Sequence, residues 1–144
     1  MIGRLAHTTL ASALGLGCAL ASAQPAGDAQ RFDGTWTTIV ECANAPDGAL
    51  GYSKQFDSTV KDGMFFGESD REGQPGWLRI QGRIDPTGKA TLLARGLTSD
   101  PKYSVDRVPN LTRYSYRVDA RFDDKRGIGS RIELRKCDLT FIRH

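Results

Sequence analysis

Apolar and polar residues alternate with a period of two from Arg31 onward, and no stretch repeats with a helical period. In RFDGTWTTIVEC, Phe32, Trp36, Val40 and Cys42 fall on one face, and Asp33, Thr35, Thr37 and Glu41 on the other. Side chains branched at Cβ favour extended backbone, so this stretch predicts an opening strand. The segment 43–51, ANAPDGALG, has loop composition. A second strand over Tyr52–Lys61 places Tyr52, Lys54, Phe56, Ser58 and Val60 together. Asp62-Gly63 is a two-residue hairpin signal that pairs Lys61 with Met64. A third strand runs from Met64 to about Glu68, before the polar run ESDREGQPG. The fourth, Trp77–Ile84, sets Leu78, Ile80, Gly82 and Ile84 against Trp77, Arg79, Gln81 and Arg83. Asp85-Pro86-Thr87-Gly88 has type I turn composition, and a fifth strand follows from Lys89 to about Gly96.

Residues 97–112 carry two prolines and no clean period. Connections this long cover something or bind something. The sixth strand, 113–122, alternates most cleanly: Tyr114, Tyr116, Val118, Ala120 and Phe122 face one way, Arg113, Ser115, Arg117, Asp119 and Arg121 the other. The seventh is predicted to turn Ile128, Ser130, Ile132 and Leu134 inward, with the alternation breaking at Arg135-Lys136. The eighth, from Cys137 to Arg143, places Cys137, Leu139, Phe141 and Arg143 on one face. Eight short strands at hairpin spacing predict an all-β sandwich or an up-and-down antiparallel barrel.

The N-terminal residues set the compartment. Arg4, the apolar run Leu10–Leu20 and Ala21-Ser22-Ala23 have the form of a cleaved signal peptide, 1–23, too short to span a membrane. A flexible leader, 24–31, then precedes a single barrel domain, 32–144. Cys18 raises the question of lipidation, but Gly15 stands where a lipobox wants Leu. The expected location is periplasmic or secreted, in a bacterium. There the remaining cysteines, Cys42 and Cys137, read as one disulfide. If they oppose each other directly, Val40 meets Leu139, Thr38 meets Phe141 and Trp36 meets Arg143. Every inward residue of the two strands then agrees, which favours a closed barrel; a slip of two residues is the alternative, because direct cross-strand disulfides are geometrically demanding.

A formal net charge of +3 at pH 7 is a solubility property and not a nucleic-acid footprint. A monomer is expected. After the leader, the sole histidine is the terminal His144. That removes a Ser-His-Asp arrangement and a multi-histidine zinc site. Oxidised cysteines remove thiol catalysis, and no glycine-rich phosphate loop precedes a helix. No metal, cofactor or catalytic residue is assigned, and the chain reads as a non-enzyme. Glu68, Asp70 and Glu72 read as a solvated acidic loop balanced by Arg71; calcium binding and paired-carboxylate chemistry are the alternatives.

Gly34-Thr35-Trp36 with Arg143 resembles the pattern of the calycin barrels, lipocalins and avidins. That resemblance implies a basic residue packed across the tryptophan at a closed barrel end. FDGTW, GYSxxF, VKDG, GQPG, YxYRVDARF and CDLTF together resemble a recurrent small exported bacterial domain without an assigned function. In architecture and compartment the chain is also similar to bacterial C-type lysozyme inhibitors, although their Ser/Gly-rich insertion loop has only Gly127–Arg131 as a counterpart. Two functional expectations follow. One is a non-catalytic module that takes a small apolar or amphipathic ligand at one barrel mouth, with Tyr52, Lys54, Tyr114 and Tyr116 as candidates; there Lys54 either extends to solvent or meets an acidic head group. The other is a module or inhibitor that binds an exported protein. It would act through the 97–112 loop or an outward arginine stripe of Arg113, Arg117, Arg121, Arg131 and Arg135, whose plain reading is a solvated wall.

Overall fold

A computed structural model describes residues 30–131 and 133–144; the expected signal peptide, most of the leader and Ile132 lie outside them. Eight antiparallel strands close into one barrel in sequence order. They are β1 Gly34–Cys42, β2 Tyr52–Lys61, β3 Met64–Ser69, β4 Leu78–Arg83, β5 Lys89–Leu97, β6 Arg113–Phe122, β7 Arg126–Arg131 and β8 Cys137–Arg143. Two short 3₁₀ turns, Pro101–Tyr103 and Val105–Arg107, lie in the long connection between β5 and β6.

Closure occurs between β1 and β8, in the directly opposed register: Trp36 with Arg143, Thr38 with Phe141, Val40 with Leu139, Cys42 with Cys137. The two cysteines are bonded, with Cα atoms 4.0 Å apart. The amide of Ala43 donates to the Lys136 carbonyl, so the cysteines occupy a non-hydrogen-bonded pair, the position where antiparallel Cα atoms come closest. No slip occurs.

The turns follow their residues. Asp62 and Gly63 both take positive φ, 51° and 72°, as the tight hairpin between β2 and β3 requires. The Asp33 carboxylate braces that turn by accepting from the amides of Asp62 (2.8 Å) and Gly63 (3.1 Å). At the next turn the Asp85 carboxylate accepts from the amides of Thr87 and Lys89.

Aromatic rings plug one end of the barrel. Phe122 packs on Trp36 (centroids 5.5 Å apart), Phe141 (4.8 Å) and Phe65 (6.0 Å), and Phe32 closes beneath. Trp36 donates to the Phe32 carbonyl at 3.0 Å. Arg143 crosses the tryptophan with its guanidinium carbon 5.8 Å from the ring centroid and donates to the carbonyls of Arg31, Asp33 and Asp124. A cation over an indole face, with its protons on carbonyls, seals the end without a carboxylate. The buried hydroxyls of Thr38 and Ser58 satisfy each other at 2.8 Å.

The seventh strand departs from expectation. Gly127, Gly129 and Arg131 point inward, and Ile128 is 62% exposed on the outer wall. Leu134 lies beyond β7 and is likewise exposed. The reason is volume. A Cβ on Gly127 would come within 2.7 Å of the Phe122 ring, and one on Gly129 within 2.9 Å of Val118. Small residues must stand where neighbouring strands project large ones, and this outweighs the alternation of isoleucines. Consequently Arg131 and Arg135, expected on the outer stripe, are buried, at 8% and 4% exposure. Arg113, Arg117 and Arg121 do face solvent.

The sulfur bridge joins residues 95 apart in sequence, a loop length for which chain entropy gives roughly 4–5 kcal/mol. Replacing both cysteines with serine is expected to lower the unfolding free energy by about that amount, read from urea denaturation monitored by tryptophan fluorescence. The β-sheet circular dichroism should persist.

Candidate functional site

The end opposite the aromatic plug is hollow. A cavity of about 620 Å³ opens there, between the top of the barrel and the 97–112 connection, within the range of small-molecule sites. A larger depression, about 940 Å³, lies outside the wall around Ile128, where Arg83, Lys89 and Arg121 mix with Asp85, Asp119 and Asp138. Its alternating charges present no converging set of groups.

Register builds the mouth. Arg131, Cys137, Cys42 and Tyr52 are consecutive cross-strand partners and form one inward row beneath the opening. Tyr114 and Tyr116, two residues apart on β6, stack nearly parallel, with centroids 6.0 Å apart. They fit because their partners on β5 are small: Gly96 pairs with Tyr114 and Ala94 with Tyr116. Leu97, Val105 and Val108 supply apolar wall. Tyr52, Lys54 and Tyr114 therefore line the cavity as expected, while Tyr116 lies beneath it.

Burial raises the pKa of all three tyrosines, and for Tyr114 and Tyr116 their neighbouring hydroxyls raise it further. Each remains a neutral hydroxyl at any working pH. The Tyr116 hydroxyl is buried with no hydrogen-bond partner.

Three inward cations converge on this end beside the outward Arg113, each partnered differently. Lys54 lies at the mouth and is paired: its Nζ is 2.6 Å from the Asp70 carboxylate. Arg135 has no carboxylate. It donates to the carbonyls of Tyr103 (3.0 Å), Ala49 (3.1 Å) and Leu50 (3.0 Å), with its guanidinium carbon 5.4 Å from the Tyr52 centroid. It thus clamps the 43–51 loop to the 97–112 connection. Arg131 donates its Nε to the Glu133 carbonyl at 2.9 Å and lies 4.0 Å from the Tyr116 centroid.

The acidic run 68–72 is dispersed rather than gathered. Glu68 and Glu72 both engage Arg79, not Arg71, while Asp70 turns to Lys54. Sequence reading missed the two buried arginines; glycine at 127 and 129, beside phenylalanines that need the space, was the available signal.

Fold and site define a closed eight-stranded antiparallel barrel, plugged at one end and hollow at the other. Comparison with protein-family models, curated proteins and solved structures returns no match.

Two outcomes are expected. Arg135→Met leaves three carbonyls without their donor and should cost about 2–4 kcal/mol of stability in urea, with faster amide exchange over 98–108. The hydrogen bond from Lys54 holds the Asp70 carboxyl below its ordinary 3.8. Because the folded pKa is the lower one, the pair's contribution is complete above the unfolded pKa and is lost as pH falls through the folded one. Carboxyl ¹³C titration should give a midpoint under 3.8 for Asp70, rising in Lys54→Met.

Proposed function

We propose that this chain is an exported, non-catalytic binding module that takes a small apolar or amphipathic ligand at the open mouth of its barrel. The carrying observation is the asymmetry of the two ends: packed rings plug one, and a cavity of about 620 Å³ opens at the other beneath the 97–112 connection. Barrels of this strand number can hold one small ligand, and the calycin resemblance points the same way by analogy of fold. Apolar walls beside tyrosine hydroxyls suit a ligand with a greasy body and a polar tip. The disulfide supports a periplasmic or secreted location, reached after cleavage near Ala23. Among the described residues no helix is long and apolar enough to cross a membrane.

The alternative reading, a module that binds an exported protein, keeps the 97–112 connection and the outer arginines. Arg117 and Arg121 are exposed without a carboxylate at ion-pair distance among the described residues, and Lys89 stands directly opposite Arg121. Like charges in that position are unfavourable, which is the observation that favours an anionic partner there. With Arg131 and Arg135 inside, the stripe has lost two of its five members.

Neutral N-phenyl-1-naphthylamine tests the mouth. Its fluorescence should rise saturably with the wild type, and Val105→Trp and Val108→Trp, which fill the cavity from the connection, should each weaken binding about tenfold or more. No saturable signal, or affinity indifferent to both substitutions, overturns the reading.

A further inference from the structure

Resting on that reading of the mouth, we infer that the ligand is an amphiphilic carboxylate anchored by Arg131. The geometry singles out this residue among the inner cations. Lys54 already has Asp70, and the Nη atoms of Arg135 are spent on three carbonyls. Arg131 has one carbonyl on its Nε and the Tyr116 ring beside it. No carboxylate lies within ion-pair distance of it among the described residues. It is 8% exposed and lines the cavity.

A buried cation is costly without a counter-charge. The Tyr116 ring and hydroxyl beside the guanidinium offset part of that cost, but they supply no negative charge. A carboxylate fits that fork with two parallel hydrogen bonds. Tyr52 and Tyr114, which line the cavity, remain protonated and repel no anion; Asp106 is the one acidic residue of the lining. Leu97, Val105 and Val108 would take the apolar body.

Displacement of N-phenyl-1-naphthylamine from the full, disulfide-bonded chain, at a pH where decanoate is ionised, separates the alternatives. Decanoate should displace the probe at about tenfold lower concentration than decanol, with decyltrimethylammonium the weakest. In Arg131→Met the decanoate advantage should vanish while decanol stays within about twofold of its wild-type value, and Arg131→Lys, which keeps charge but not the fork, should fall between. Equal displacement by decanoate and decanol in the wild type overturns the inference, and needs no variant to fold. So does an Arg131→Met protein that keeps the preference. Those results leave the mouth-binding reading standing. A probe that never binds the wild type removes both.

Discussion

The constraint on which the structure depends is the register between its first and last strands. Side chains on a strand alternate between two faces, so a slip of one residue would turn either Trp36 and Val40 or Leu139 and Phe141 to solvent. The Cys42–Cys137 bond fixes that register at a position where antiparallel backbones already approach closely. Closure then leaves no strand with unpaired backbone groups along an edge. The same row continues sideways into Arg131 and Tyr52. The covalent tie that closes the barrel therefore also sets the distance between the cation and the aromatic ring at its mouth.

Given that register, the filling of the interior is a matter of volumes. Gly82 pairs with Phe65, Gly127 with Phe122 and Phe141, and Gly96 with Tyr114. At Gly127 and Gly96 an aromatic ring takes up the room, at Gly82 the Leu92 side chain does, and below the level of Val40 the rings meet one another. Above it the inward side chains become long and polar-tipped. Tyr52, Lys54 and Arg131 lay apolar stems against the wall and carry their polar ends upward. Their tips do not pack into a dry core, and a cavity remains above them at the mouth. Plug and cavity are thus two consequences of one gradient in side-chain chemistry along the barrel axis.

Much of this was legible where alternation was clean and the inward residues were large. The bounds of β2, β6 and β8 coincide with those expected, and so does the Lys61–Met64 hairpin pairing. The inward orientation of Tyr52, Lys54, Tyr114 and Tyr116 followed from parity, although Tyr116 lies beneath the cavity and does not line it. The seventh strand was misread because hydropathy assigns glycine no face. The isoleucine at 128 therefore governed the assignment, although Gly127 and Gly129 were the residues with nowhere else to go. Arg131 and Arg135 followed that error to the wrong side of the wall. Arg135 was further hidden because its acceptors are backbone carbonyls of two loops, and loop-to-loop contacts leave no period. The brace from Asp33 to the β2–β3 turn was invisible for the same reason.

The covering of the mouth is built differently from the barrel beneath it. Leu50 donates to the Lys102 carbonyl, Asp106 to the Asp47 carboxylate at 2.6 Å, and Arg107 to the Gly48 carbonyl. Asp106 and Arg107 both take positive φ, 58° and 52°, a backbone conformation costly for residues other than glycine. These neighbouring contacts hold it in place. The connection is consequently anchored by a few side chains and turns rather than by a continuous ladder, and segments of that kind open at lower free energy than the sheet. A ligand could then enter by displacing the 3₁₀ turns while the eight strands, the disulfide and the aromatic plug stay as they are. The fold separates a rigid sheet that positions Arg131 from a connection that yields at lower free energy.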